Sequence, residues 1–72
     1  MSNTEATEVV FTVKEAGDGT PWLMLEPRRK KLAVLGNGFL GLRLRPGTTY
    51  EEATQISNFL DQHIASIAYT RL

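Results

Sequence analysis

Seventy-two residues with no cysteine and a single histidine leave room for one small domain, and exclude both a disulfide framework and a Cys/His metal site. No apolar run approaches the roughly 18 residues that a membrane span needs. The polar, acidic opening MSNTEATE has neither a basic n-region nor an apolar h-region, so the expectation is a soluble, cytoplasmic protein. A chain this short buries only about 60% of the surface its unfolded form exposes. With covalent and metal staples excluded, self-association is the remaining ordinary source of added stability.

Net charge is zero, but it is unevenly spread. Over residues 1 to 26, Lys14 stands against Glu5, Glu8, Glu15, Asp18 and Glu26, for −4. Residues 27 to 47 hold Arg28, Arg29, Lys30, Lys31, Arg43 and Arg45 with no acid, for +6, and the remainder sets Arg71 against Glu51, Glu52 and Asp61, for −2. A basic block between two acidic ones marks a candidate partner surface.

In chain order, residues 1 to 7 read as a disordered polar tail. EVVFTVKEA alternates Val9, Phe11 and Val13 with Glu8, Thr12 and Lys14, the period of a half-buried strand. GDGT supplies a reverse connection. PWLMLE follows as a second strand, with Pro21 at the first position, where a missing N–H matters least. After PRRKK comes KLAVLGNGFLGLRLRPG, in which Asn37-Gly38 is a strong type I′ hairpin signal. With those two at the centre of the turn, Leu35 faces Leu40, Ala33 faces Leu42, and Leu40, Leu42 and Leu44 share a core face. Lys30, Arg43 and Arg45 then gather at one end of the other face.

The last third opens on Pro46-Gly47 and a Thr-x-x-Glu capping box at Thr48 or Thr49. Ala53, Ile56, Leu60, Ile64 and Ile67 recur at three and four, predicting an amphipathic helix with Ile56, Leu60 and Ile64 in the core. The sum is one α+β domain over residues 1–72: a small antiparallel meander of three to four strands over 8–45, followed by one C-terminal helix over 48–69 packed on the sheet.

Gly36, Gly38 and Gly41 spell G-x-G-x-x-G, but a dinucleotide turn needs its third glycine in the first turn of a helix. Alternating LRLR and then Pro46 leave no such helix, so no small-molecule cofactor is expected. Asp61, His63 and Ser66 do not make a nucleophilic set, because residues two apart on a helix point in different directions. Glu51 and Glu52 read as caps, and Trp22 reads as a core or interface anchor. No enzyme is expected.

One helix covers one face of a sheet, and the other face would carry Trp22, Leu32, Val34 and Phe39, a patch larger than soluble monomers usually expose. The leading function is therefore a non-enzymatic protein–protein interaction module that forms a homodimer through those four residues. The alternative is a small nucleic-acid-binding or regulatory protein using Arg28, Arg29, Lys30, Lys31, Arg43 and Arg45 on phosphates. GTTYEEA, residues 47 to 53, resembles the helix start in the βββα core of HicB-type antitoxins, although the Pro- and Gly-rich segment usual before it is missing. That likeness implies a strand-strand-strand-helix order and an antitoxin-like regulatory role, and it carries over no functional residue.

Overall fold

Alternation on EVVFTVKE and PWLMLEP builds the first hairpin. In the computed structural model, which describes residues 4–71, β1 (Thr4–Thr7) runs into β2 (Val9–Glu15), β3 (Pro21–Pro27), a 3-10 turn at Ala33–Leu35, β4 (Leu40–Arg43), α1 (Tyr50–His63) and β5 (Ile67–Thr70). β2, β3 and β4 form an antiparallel meander with β3 in the centre, and β1 pairs with β5 in a second antiparallel sheet. The class is α+β, with α1 packed on β2 and β3.

The β2–β3 turn is closed by Gly19 N–H to the Ala16 carbonyl, by Ala16 N–H to the Thr20 carbonyl, and by Thr20 N–H to the Asp18 carboxylate. Gly19, at φ 85°, takes the left-handed position that the turn needs. Phe11 faces Leu25 and Val13 faces Leu23 across the ladder, while Leu23 and Leu25 face Leu42 and Leu40 on the other side. These residues share the face under α1. Val9, Phe11 and Leu25 make the core cluster there, with Leu60 and Ile67 packed against it.

Both ends of β3 are prolines, and they set the length of β4. Extending β4 by one residue would put Leu44 opposite Pro21, and extending it by two at the other end, past Phe39 opposite Glu26, would put Gly38 opposite Pro27. Neither proline has an N–H to give, so pairing stops at the four residues from Leu40 to Arg43.

The hairpin expected over residues 31 to 45 does not form. Leu35 closes a 3-10 turn instead, and β4 pairs with β3 rather than with residues 31 to 35. A type I′ turn needs positive φ at both central residues, yet among the described residues no non-glycine has positive φ, so Asn37 is not in one. Gly36 takes the positive φ, at 55°, and the N–H groups of Leu35, Gly36 and Gly38 satisfy the carbonyls of Leu32, Ala33 and Leu35. Tertiary pairing with β3 outweighs the local hairpin signal.

Residues expected as a tail and as the end of the helix pair with each other. Thr4–Thr7 lies against Ile67–Thr70, so Thr4 faces Thr70 at 2.9 Å between hydroxyl oxygens. The tail positions 1 to 3 lie outside the described residues. α1 ends at His63, short of the expected 69, because Ile67, Tyr69 and Thr70 suit a strand once β1 offers a partner. Glu5 also accepts from Ala33 N–H, and Thr7 donates its hydroxyl to the Lys30 carbonyl, which ties the long β3–β4 connection to β1.

The helix begins at the Thr49 capping box, with Glu52 N–H to the Thr49 hydroxyl at 3.0 Å and Thr49 N–H to the Glu52 carboxylate at 2.9 Å. Its buried residues are Ala53 and Ser57, while Ile56 and Ile64, expected in the core, remain 37% and 38% exposed. The cause is polar. Ser57 donates its hydroxyl to the Phe11 carbonyl at 2.5 Å, and Phe11 N–H donates to the Asp61 carboxylate at 2.9 Å. Holding both bonds turns the helix by roughly 60° from a Leu60-centred face toward Ser57. It also seats α1 over β2, so Leu40 and Leu42 on β4, expected in the core, stay more than 40% exposed.

Ser57→Ala leaves the buried Phe11 carbonyl unpaired and is expected to cost about 1–3 kcal/mol. Phe59→Ala, at the most exposed large apolar side chain among the described residues, should stay within about 0.5 kcal/mol, and urea unfolding compares the two. The Thr49 N–H, and then its hydroxyl, hold the Glu52 carboxyl below its ordinary value of 4.5. A lowered folded value means that stabilisation is complete above 4.5 and lost as pH falls through the lower value. The stability difference between the parent and Glu52→Gln should therefore be constant above that pH and shrink below it.

Candidate functional site

The face of the meander away from α1 carries Val10, Thr12 and Lys14 from β2, Trp22, Met24 and Glu26 from β3, and Gly41 and Arg43 from β4. Lys14 reaches Glu26 at 3.7 Å across this face, an exposed pair that contributes little stability. Trp22 sits in a row between Lys14 and Arg43. Its ring lies over Gly41, where a Cβ would stand 2.8 Å from Trp22 Cζ3 and 3.0 Å from Cε3. The indole thus fills the space that a β4 side chain would take, a known means of stiffening a glycine in a sheet. Phe39 stacks on Trp22 with ring centroids 5.9 Å apart and planes 19° apart.

The four residues expected at an interface are therefore divided. Trp22 and Phe39 come together. Leu32 is buried, at 4% exposure, because the β3–β4 connection folds back on β1. Val34 is exposed on the 3-10 turn, in a hollow it shares with Thr4, Glu5 and Tyr69, away from the Trp22 stack.

The basic residues are divided as well. Arg28, Arg29, Lys30 and Lys31 are exposed beyond the Pro27 end of β3, while Arg43 faces Trp22 at its other end. Arg28 stands six positions beyond Trp22 along the strand direction, roughly 20 Å. The expected convergence of Lys30 with Arg43 and Arg45 depended on the absent hairpin. Arg43 instead borders a cleft of about 630 Å³, shared with Asp18, Thr20, Pro21, Trp22 and Pro46. Hydrogen bonds from Thr20, its backbone N–H first, hold the Asp18 carboxyl below its ordinary value, and the charge of Arg43 adds to the effect.

The Asp61 carboxylate is engaged with the Phe11 backbone and not with an imidazole, and His63 packs on Phe59 with centroids 4.3 Å apart. Among the described residues no group of three His, Asp or Glu side chains is placed to hold a metal. The Trp22–Phe39 stack, the cleft beside it and the Arg43 guanidinium offer a stacking surface, apolar surface and a cation. No protein-family model matches the chain, and neither a curated protein nor a solved structure matches it.

Sequence reasoning missed Ser57 and the Trp22–Gly41 contact. A glycine inside a strand signals close approach by another group, and that signal was present at Gly41. Ser57 and Asp61 are spaced to share a helix face, but nothing local says that a strand edge lies against it. Gly41→Ala would force the indole aside and is expected to cost about 1–3 kcal/mol. Trp22 is the only tryptophan, so its emission maximum and near-ultraviolet dichroism read this directly; an unchanged spectrum would place the ring elsewhere.

Proposed function

We propose that this chain is a non-enzymatic interaction module that works by self-association. The observation that carries the reading is the apolar surface left uncovered at β4 and α1. Phe39, which precedes β4, Leu40 and Leu42 on β4, Ile56 and Phe59 on α1, and Ile64, which follows it, are all exposed. So much large apolar surface on so small a domain favours a partner. The sites lie on and beside β4 rather than on a patch containing Leu32 and Val34.

A second reading, binding of single-stranded nucleic acid, is favoured by one observation: Arg43 adjoins the Trp22–Phe39 stack, and aromatic faces beside a guanidinium are what unpaired bases use. The two readings differ in their response to salt. Sedimentation velocity from low micromolar to millimolar concentration is expected to show mass rising from one chain to two, with little change when salt is raised, since apolar burial is not screened. Titration with single-stranded and duplex oligonucleotides at two salt concentrations is the companion experiment. A monomer throughout, with oligonucleotide binding that weakens steeply in salt, would replace the first reading by the second.

A further inference from the structure

We infer that the free edge of β4 is a self-pairing site, at which two copies join β4 to β4 in antiparallel register about Gly41 to make a six-stranded sheet. This rests on the self-association reading and specifies its geometry.

The direction of the backbone groups comes from Phe11. Its N–H and carbonyl are held by Asp61 and Ser57, so they point away from β3. In an antiparallel ladder the direction alternates by residue, and even-numbered positions of β2 therefore face β3. The bond from Arg28 N–H to the Glu8 carbonyl extends that same pattern. Leu25 and Leu23, opposite Phe11 and Val13, then face β4 and bond to Leu40 and Leu42. Gly41 and Arg43 direct their N–H and carbonyl groups outward. Among the described residues, no loop or side chain covers those groups, and β4 carries no proline on that edge.

The edge is complementary to itself. A two-fold axis at Gly41 sets Gly41 against its copy, Leu40 against the second copy's Leu42, and Phe39 against the second copy's Arg43. The two glycines, which carry no side chains of their own, exchange both backbone bonds. Leu40 and Leu42, on the same sheet face, cover one another across the seam. Arg43 comes beside the exposed Phe39 ring, whose face attracts a cation. The two Arg43 residues then stand four positions apart along the ladder, about 13 Å. A register centred on Leu42 halves that spacing, and one centred on Arg43 sets the two charges face to face. Charge placement thus disfavours the registers centred on Leu42 and Arg43, and one centred on Leu40 pairs only that residue within β4, so Gly41 is the register kept, and the matching of Leu40 with Leu42 and of Phe39 with Arg43 favours a second copy as the partner. Five residues from each copy, 39 to 43, make a small seam, so the dimer is weak and concentration-dependent.

The test is nuclear magnetic resonance on a mixture of labelled and unlabelled full chain. An inter-chain cross-peak between the Leu40 and Leu42 α-protons is expected, with protection of the Gly41 amide that grows with concentration. Arg43→Pro removes one outward N–H and no bond to β3, and should raise the dimer dissociation constant at least about tenfold with the β2 and β3 resonances retained. Leu42→Lys, which keeps every backbone group, should do the same by charging the seam. A dimer that lacks the cross-peak and tolerates both changes overturns the β4 seam while leaving self-association in place. A monomer at every concentration overturns both.

Discussion

The grip of Ser57 and Asp61 on the two backbone groups of Phe11 governs the rest of this structure. β2 is an edge strand, and a bare edge both wastes hydrogen bonds and invites stray pairing. Two side chains one helical turn apart satisfy the donor and the acceptor of one residue, at the place where Phe11 anchors the core. Losing either partner would leave a polar group unsatisfied near that core, at about 1–3 kcal/mol. The bonds also fix where α1 lies and how it is turned, and from that follow the exposure of Ile56 and Phe59 and the uncovered leucines of β4.

The two edges of the meander are therefore treated differently. β2 is closed by a helix, and β4 is limited only in length, by the prolines that bound β3. Between them the face away from α1 is occupied by the Lys14–Glu26 pair and by the indole over Gly41, so it is less apolar than the strand pattern alone suggests.

What was legible in the sequence is what depends on neighbours in sequence. Alternation gave β2 and β3, the Asp18-Gly19 turn gave their connection, and Thr49 with Glu52 gave the helix start. Asn37-Gly38 misled because β3 was the better partner for β4. The stripe through Ile56, Leu60 and Ile64 misled because two hydrogen bonds, invisible in a hydrophobic pattern, set the rotation of the helix. β1 and β5 escaped notice because each is a strand only in the presence of the other, 60 residues and more along the chain. The candidate site shared this fate: Trp22 and Phe39 meet through β3–β4 pairing, and the same pairing separates Arg28 from Arg43.

The pairing of Thr4 with Thr70 has a mechanical side. Tension applied through the flanking residues would act across the first rung of the β1–β5 ladder and load its bonds one after another, like a zipper, instead of shearing them together. The meander and α1 lie beyond the last rung, at Thr7 and Ile67, so the rungs from Thr4 to Ala6 would open before the pull reaches the core against which Ile67 packs. That sheet is thus a fuse in series with the core, and it would give way before the clamp on Phe11 is strained.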